Sequence, residues 1–194
     1  MEKTQIVHTR EQLKAISDPL RVQLLVLLIE KEYTGQQLSE VLEIPRSKVH
    51  YHLKALEKVN FIQLIREEVK GGTVQKFYRA VALSFLPGIE LFPYADEISQ
   101  ANRMALIKTI DRVKERVFNA PSKAFFEDDK FATSMIQAEV NLTKDQFEKI
   151  SNKINELFDE LILMEKENKS NPNTRMYYLG SFGFEITNAF FREK

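Results

Sequence analysis

The stretch Arg46-Ser47-Lys48-Val49-His50-Tyr51-His52-Leu53-Lys54-Ala55-Leu56 decides how this chain folds. Its apolar residues Val49, Leu53 and Leu56 recur at spacings of four and three, which places them on one side of a helix. Ser47, His50, Tyr51 and Lys54 then point outward, with Arg46 and Lys48 near the helix N-terminus. Between residues 46 and 60, four basic groups meet one acid, Glu57, a local net charge of +3. Such a face offers hydrogen-bonding groups to base edges and cations to phosphates. His50 is either a contact of that face or an idle surface histidine. His52, two residues on, points about 200° away, so the pair cannot chelate one ion. His52 reads as a buried or interfacial structural residue.

Upstream, Ile44-Pro45 breaks the chain, because the residue before a proline is pushed out of the helical region. Before that break Thr34 caps a short helix whose Leu38, Val41 and Leu42 face inward. Asp18 caps an earlier helix with Pro19 at its first position, where the missing N–H costs nothing. Leu20, Leu24, Leu27 and Leu28 make that helix mostly core. A short helix over 11–16, closed by Ser17, precedes it. Downstream, Phe61, Ile62, Leu64 and Ile65 begin an apolar strand ending near Val69. Gly71-Gly72 supply a turn that needs positive φ, and 73–81 return as a second strand. Two helices with a short break, then strand–turn–strand, is the plan of a winged helix-turn-helix. In that plan the second helix enters the major groove while the first braces it.

The segment Leu13-Lys14-Ala15-Ile16-Ser17-Asp18-Pro19-Leu20-Arg21 resembles the opening signature of ArsR-like winged-helix transcriptional regulators. The stretch from Thr34 to Leu56 is similar to their helix-turn-helix, and Phe61-Ile62 with the Gly71-Gly72 hairpin is similar to their wing. The resemblance covers roughly residues 10–82. It implies a DNA-binding regulator in which Ser47, His50 and Tyr51 read bases. Arg46, Lys48 and Lys54 would hold phosphates, and Lys70 and Lys76 would reach the flanking backbone or minor groove from the wing. Many members sense metals through cysteine pairs, but Thr34-Gly35-Gln36-Gln37-Leu38 has none. The resemblance further implies a homodimer on a palindromic operator, with repression the favoured outcome.

Beyond residue 82 the composition changes, with fifteen of the twenty aromatic residues lying there. Residues 83–93 carry two prolines and a glycine and read as a linker. A long helix over 95–118 carries Ile98, Ala105, Leu106, Ile110, Val113 and Val117 on one side, and the resemblance implies that it is the better candidate for dimerisation, since a helix after the wing often pairs in that family. Residues 135–142 alternate in the manner of a strand. Thr143 caps a helix to about 167, whose Phe147, Ile150, Ile154, Leu157, Leu161 and Met164 follow spacings of 3, 4, 3, 4 and 3. That stripe is either core packing or a dimer contact. Residues 175–186 read as a last strand, and strand–helix–strand favours a right-handed parallel crossover. The aromatic residues form either a packed core or an apolar effector pocket lined by Phe125, Phe126, Phe131, Tyr177, Tyr178 and Phe182. Glu127-Asp128-Asp129 lacks calcium-loop spacing and reads as a solvated turn.

The expected fold class is therefore α+β: a winged helix-turn-helix over 1–82, a linker over 83–94, and 95–194 as a long helix with a small α/β domain. This C-terminal part would serve dimerisation and an effector. The chain of 194 residues has no cysteine, which removes disulfides, thiolate metal sites and cysteine nucleophiles. No serine elbow, HExxH or phosphate-binding glycine loop is present, so no enzyme and no cofactor is indicated. The longest apolar run is Leu24 to Ile29, far short of the roughly 20 residues that span a bilayer. The first residues lack the apolar stretch of a secretory signal, so a cytoplasmic protein away from membranes is expected. The net charge of zero argues against a nucleic-acid partner only until it is resolved along the chain. Residues 1–82 hold 13 basic and 10 acidic groups, whereas 83–194 hold 15 and 18. Two other functions fit the same pattern. One is a winged helix that binds protein rather than DNA. The other is a regulator sensing zinc or nickel through histidine and carboxylate, although His8 stands alone in a polar stretch.

Overall fold

Capping fixes where the N-terminal helices begin. The computed structural model describes residues 1–126 and 134–188, which fall into two compact units, Met1–Ser122 and Lys123–Lys194. In the first, Thr9 and Gln12 form a capping box that opens α1 (Arg10–Ala15). Ser17 closes that helix by donating its hydroxyl to the Leu13 carbonyl at 2.8 Å. The Asp18 carboxylate accepts from the backbone N–H groups of Leu20 and Arg21 and starts α2 (Pro19–Glu30), with Pro19 in the first turn. Thr34 and Gln37 form a second capping box for α3 (Gly35–Leu42). Glu43 ends α3 in the left-handed region at φ 53°, and Pro45 precedes α4 (Arg46–Lys58).

The helices close on a core in which Leu24, Leu28, Leu38, Val49, Leu56 and Phe61 are fully buried. Each such side chain contributes about 1.5–3 kcal/mol relative to exposure. Val41, expected to face inward, is 48% exposed. On this two-turn helix the buried arc runs through Gly35 and Leu38, and Val41 falls outside it.

A three-stranded antiparallel sheet follows, with β2 (Tyr33–Thr34) and β3 (Ile62–Lys70) flanking β4 (Thr73–Ala80). Gly71 and Gly72 take φ of 58° and 75°, the turn conformation expected of them. A bulge lies between Leu64 and Arg66, and Leu64 and Ile65 are about 40% exposed, so this strand is less apolar in its setting than in its composition.

The expected linker is structured. β1 (Glu2–Val7) pairs in parallel with β5 (Ala82–Pro87), and the Gly88 N–H donates to the Val7 carbonyl at 2.8 Å. A 3-10 helix over Ile89–Tyr94 leads into α5 (Ala95–Asn119). This helix packs on α1 and α2 within the first unit. Glu30 fastens it: its carboxylate accepts from Arg112 Nε at 3.0 Å and from Arg116 Nη2 at 2.6 Å.

The second unit contains α6 (Lys144–Glu167), opened by a capping box of Thr143 and Gln146. Contrary to expectation, no strand and hence no parallel crossover forms beside it among the described residues. Residues 135–142 and 175–186 run without a ladder, with Ile136 89% and Met176 95% exposed. Alternating sequence favours extended backbone, but a strand exists only where a second edge accepts its hydrogen bonds. Phe131 and Glu127-Asp128-Asp129 lie outside the described residues.

Candidate nucleic-acid interface

Burial of Val49, Leu53 and Leu56 fixes the rotation of α4, and that rotation decides which side chains reach solvent. Arg46, Ser47, Lys48, Tyr51 and Lys54 are exposed, and His50 is half-buried. The helix has no acid before Glu57, so its outer N-terminal half is cationic and hydrogen-bonding. No side chain caps this end.

The wing folds back beside the same face. Together they bound a cleft of about 380 Å³, lined by Arg46 and His50 from α4, and by Lys70, Thr73, Val74, Gln75 and Lys76 from the hairpin. Thr34, Gly35 and Gln36 at the start of α3 complete it. The cleft thus brings four of the expected contact residues together: Arg46, His50, Lys70 and Lys76. Ser47, Lys48, Tyr51 and Lys54 stand on the open surface of α4 outside it. Gln36, Thr73 and Gln75 line it as well, ordinary polar residues that no sequence motif marks.

Gly35 sits directly under the His50 ring. A Cβ built there would lie 3.2 Å from Cε1 and Nε2, a tight contact that the ring could accommodate only by giving way a few tenths of an ångström. Nε2 of His50 accepts a hydrogen bond from Arg46 Nε at 3.3 Å. Burial chiefly, and then the charges of Arg46 and Lys54, hold the His50 imidazole below its ordinary range. The neutral ring therefore carries its proton on Nδ1.

His52 is buried at 8% exposure, as expected of a structural residue. Its Nδ1 is 3.7 Å from Asp18 Oδ1, too long for a hydrogen bond, and burial holds this imidazole low against the opposing pull of Asp18. It is a neutral packing residue, and Tyr51 stands edge-on to it at 5.1 Å between ring centres.

The wing lysines differ. Lys70 and Lys76 are both exposed or nearly so, but Lys76 lies opposite Glu67 in the strand register and pairs with it at 3.2 Å. The hydrogen bond to Glu67 raises the lysine above its ordinary range. Lys76 is thus neutralised in place. Arg46, Lys48, Lys54 and Lys70 are in no ion pair among the described residues.

Of the aromatic residues expected around an effector, five lie among the described residues. Phe125, Phe126, Tyr177, Tyr178 and Phe182 are all at least 40% exposed. His8 pairs through Nδ1 with Glu90. Among the described residues no three histidine, aspartate or glutamate side chains cluster in a way that could hold a metal ion. No helix among them is long and apolar enough to cross a membrane.

Among solved structures, reduced HlyU from Vibrio cholerae N16961 is 28% identical, with 36% of this chain and 68% of that one covered and a TM-score of 0.32. The transcriptional regulator HlyU from Vibrio vulnificus CMCP6 is 18% identical, covering 52% and 83%, with a TM-score of 0.32. The homodimeric winged helix-turn-helix DNA-binding domain of Mb0332 from Mycobacterium bovis is 16% identical, covering 56% and 82%, with a TM-score of 0.31. No curated protein matches the chain. Residues 18–63 match the family model described as bacterial regulatory protein, arsR family. With the helix pair, cationic helix face and hairpin in place, residues 18–63 of this winged helix-turn-helix are similar to the bacterial regulatory proteins of the arsR family.

Proposed function

We propose that the protein is a homodimeric transcriptional regulator that binds a palindromic operator and represses by occupying it. The observation that carries this reading is the outer face of α4, where Arg46, Ser47, Lys48, Tyr51 and Lys54 are exposed with no acid among them. A helix of that kind suits the major groove, with Ser47, His50 and Tyr51 toward base edges and Arg46, Lys48 and Lys54 toward phosphates. Lys70 at the wing tip would hold the flanking backbone. Lys76 takes a lesser part, because Glu67 already neutralises it. A single module of this size binds DNA weakly. Two copies related by a dyad would engage half-sites about 34–36 Å apart and gain specificity from the pair.

Selection from a random duplex pool, followed by binding of the selected duplex at several salt concentrations, tests the reading. A regulator prefers the selected site by about 10³-fold or more over random duplex. Equal affinity for both at every salt overturns it and favours a winged helix that binds protein. The exposed aromatic side chains of the second unit would have to fold together before lining a small apolar effector site. Native mass spectrometry of the purified protein reads whether such a ligand accompanies it.

A further inference from the structure

The 24-residue helix α6 carries an apolar stripe that its own chain leaves largely uncovered. Phe147, Ile150 and Leu157 are 43–52% exposed and Met164 is 50% exposed, while Ile154 and Leu161 between them are half-buried. Gly183 lies against the Phe147 ring at one end. The spacing of 3, 4, 3, 4 and 3 is a heptad seam, with Phe147, Ile154 and Leu161 at a and Ile150, Leu157 and Met164 at d. A seam of this kind suits another helix of the same kind, and the flanking charges select which one and in which direction.

We infer that α6 pairs with α6 of a second copy of this chain, antiparallel, about a two-fold axis passing between Asn155 and Glu156. This rests on the homodimer reading above and adds the element that joins the copies. In a parallel, in-register pair, Glu160 at g would face Glu165 at e of the other helix, twice over, which is repulsive. Turning one helix round removes both clashes. Phe147 then opposes Met164, Ile150 opposes Leu161, and Ile154 opposes Leu157. Along the flanks Lys153 meets Glu160 and Lys144 meets Glu165, each pair occurring twice by symmetry. All four side chains are exposed, and none is in an ion pair among the described residues. The palindromic order of the stripe makes the interface self-complementary, so it closes at two copies and does not propagate.

The absence of native cysteine makes cross-linking free of background. Full-length Ile150→Cys and Leu161→Cys chains, co-expressed with tags of different size and then oxidised, should give the mixed disulfide in at least about tenfold excess over either same-site product. Residues 150 and 161 are separated by about 16 Å along one helix, so each register excludes the other's disulfide. Dominant 150–150 product means parallel pairing and overturns the proposal. A sedimenting dimer that gives no mixed product overturns the α6 assignment while leaving the homodimer standing. A monomer at all concentrations overturns both. A charge-swap series covers loss of folding in the cysteine variants. Lys153→Glu and Glu160→Lys should each weaken dimerisation about five- to tenfold, and the double variant should restore it to within about twofold. Failure of the double variant to restore it overturns the pairing.

Discussion

Replacing Lys48 and Lys76 one at a time should change the salt dependence of DNA binding very unequally, although both are surface lysines near the same helix and wing. Each cation that neutralises a phosphate releases condensed counterion and adds about 0.9 to the slope of log affinity against log salt. In each protomer Arg46, Lys48, Lys54 and Lys70 are available, whereas Lys76 is paired with Glu67 at 3.2 Å. Two protomers therefore supply eight free cations. The slope should be about −7, and affinity should fall about 10⁴-fold between 50 and 200 mM salt. Lys48→Ala removes one contact per protomer, so the slope should become less steep by about 1.8. Lys76→Ala should shift it by only a few tenths. Fluorescence anisotropy with a labelled operator duplex, run at five or six salt concentrations for the three proteins, measures all of this. Equal slope changes for the two variants would refute the claim that Glu67 silences Lys76. A wild-type slope shallower than about −2 would refute the placement of α4 against the phosphate backbone.

Three further outcomes concern the scaffold. Asp18→Ala removes the carboxylate that accepts from two backbone N–H groups at the start of α2. It should cost about 1 kcal/mol in urea unfolding, within a range of about 0.5–2. Glu30→Gln weakens the acceptor that holds Arg112 and Arg116, both less than one-third exposed. It should cost about 1–3 kcal/mol, and a change confined within about 0.3 kcal/mol would show that the Glu30 contacts do not hold α5 in place. His50 and His52 are both held below the ordinary 6.5 by burial, so the folded chain binds fewer protons there than the unfolded one. Their contribution to stability is complete above about pH 6.5 and declines as pH falls below it. Thermal unfolding at pH 7.5 and 5.5 should show that decline reduced in His52→Gln, and an unchanged decline would mean that other groups drive it.

How far the fold could be read from sequence follows from the range of the interactions that make it. The helices between residues 10 and 58 depend on caps and periodicity inside a few turns, as at Asp18-Pro19, Thr34 and Val49-Leu53-Leu56. Their boundaries emerge within a residue or two of the reading. The Gly71-Gly72 hairpin is equally local. Helical angle turns His52 away from the outward face, as a buried or interfacial residue, and it is buried. The outward face of α4 was likewise legible, since three buried residues determine the rotation of the rest.

Where the partner lies far away in the chain, sequence order carries no comparable signal. β1 and β5 are short, ordinary segments about eighty residues apart, and each is a strand only because the other accepts its hydrogen bonds. The same requirement works in reverse over 135–142, whose alternation suits a strand, and over 175–186: neither forms a strand among the described residues. The hairpin register sets Lys76 opposite Glu67, a pairing that sequence order does not signal. The cleft that gathers Arg46, His50, Lys70 and Lys76 exists only after the wing has folded back on α4. By itself the sequence determined which helices form and which of their faces are apolar or cationic, because caps, turns and periodicity act within a few residues. The tertiary structure alone decided which distant segments pair and which charges remain available, because those depend on distances that only folding creates.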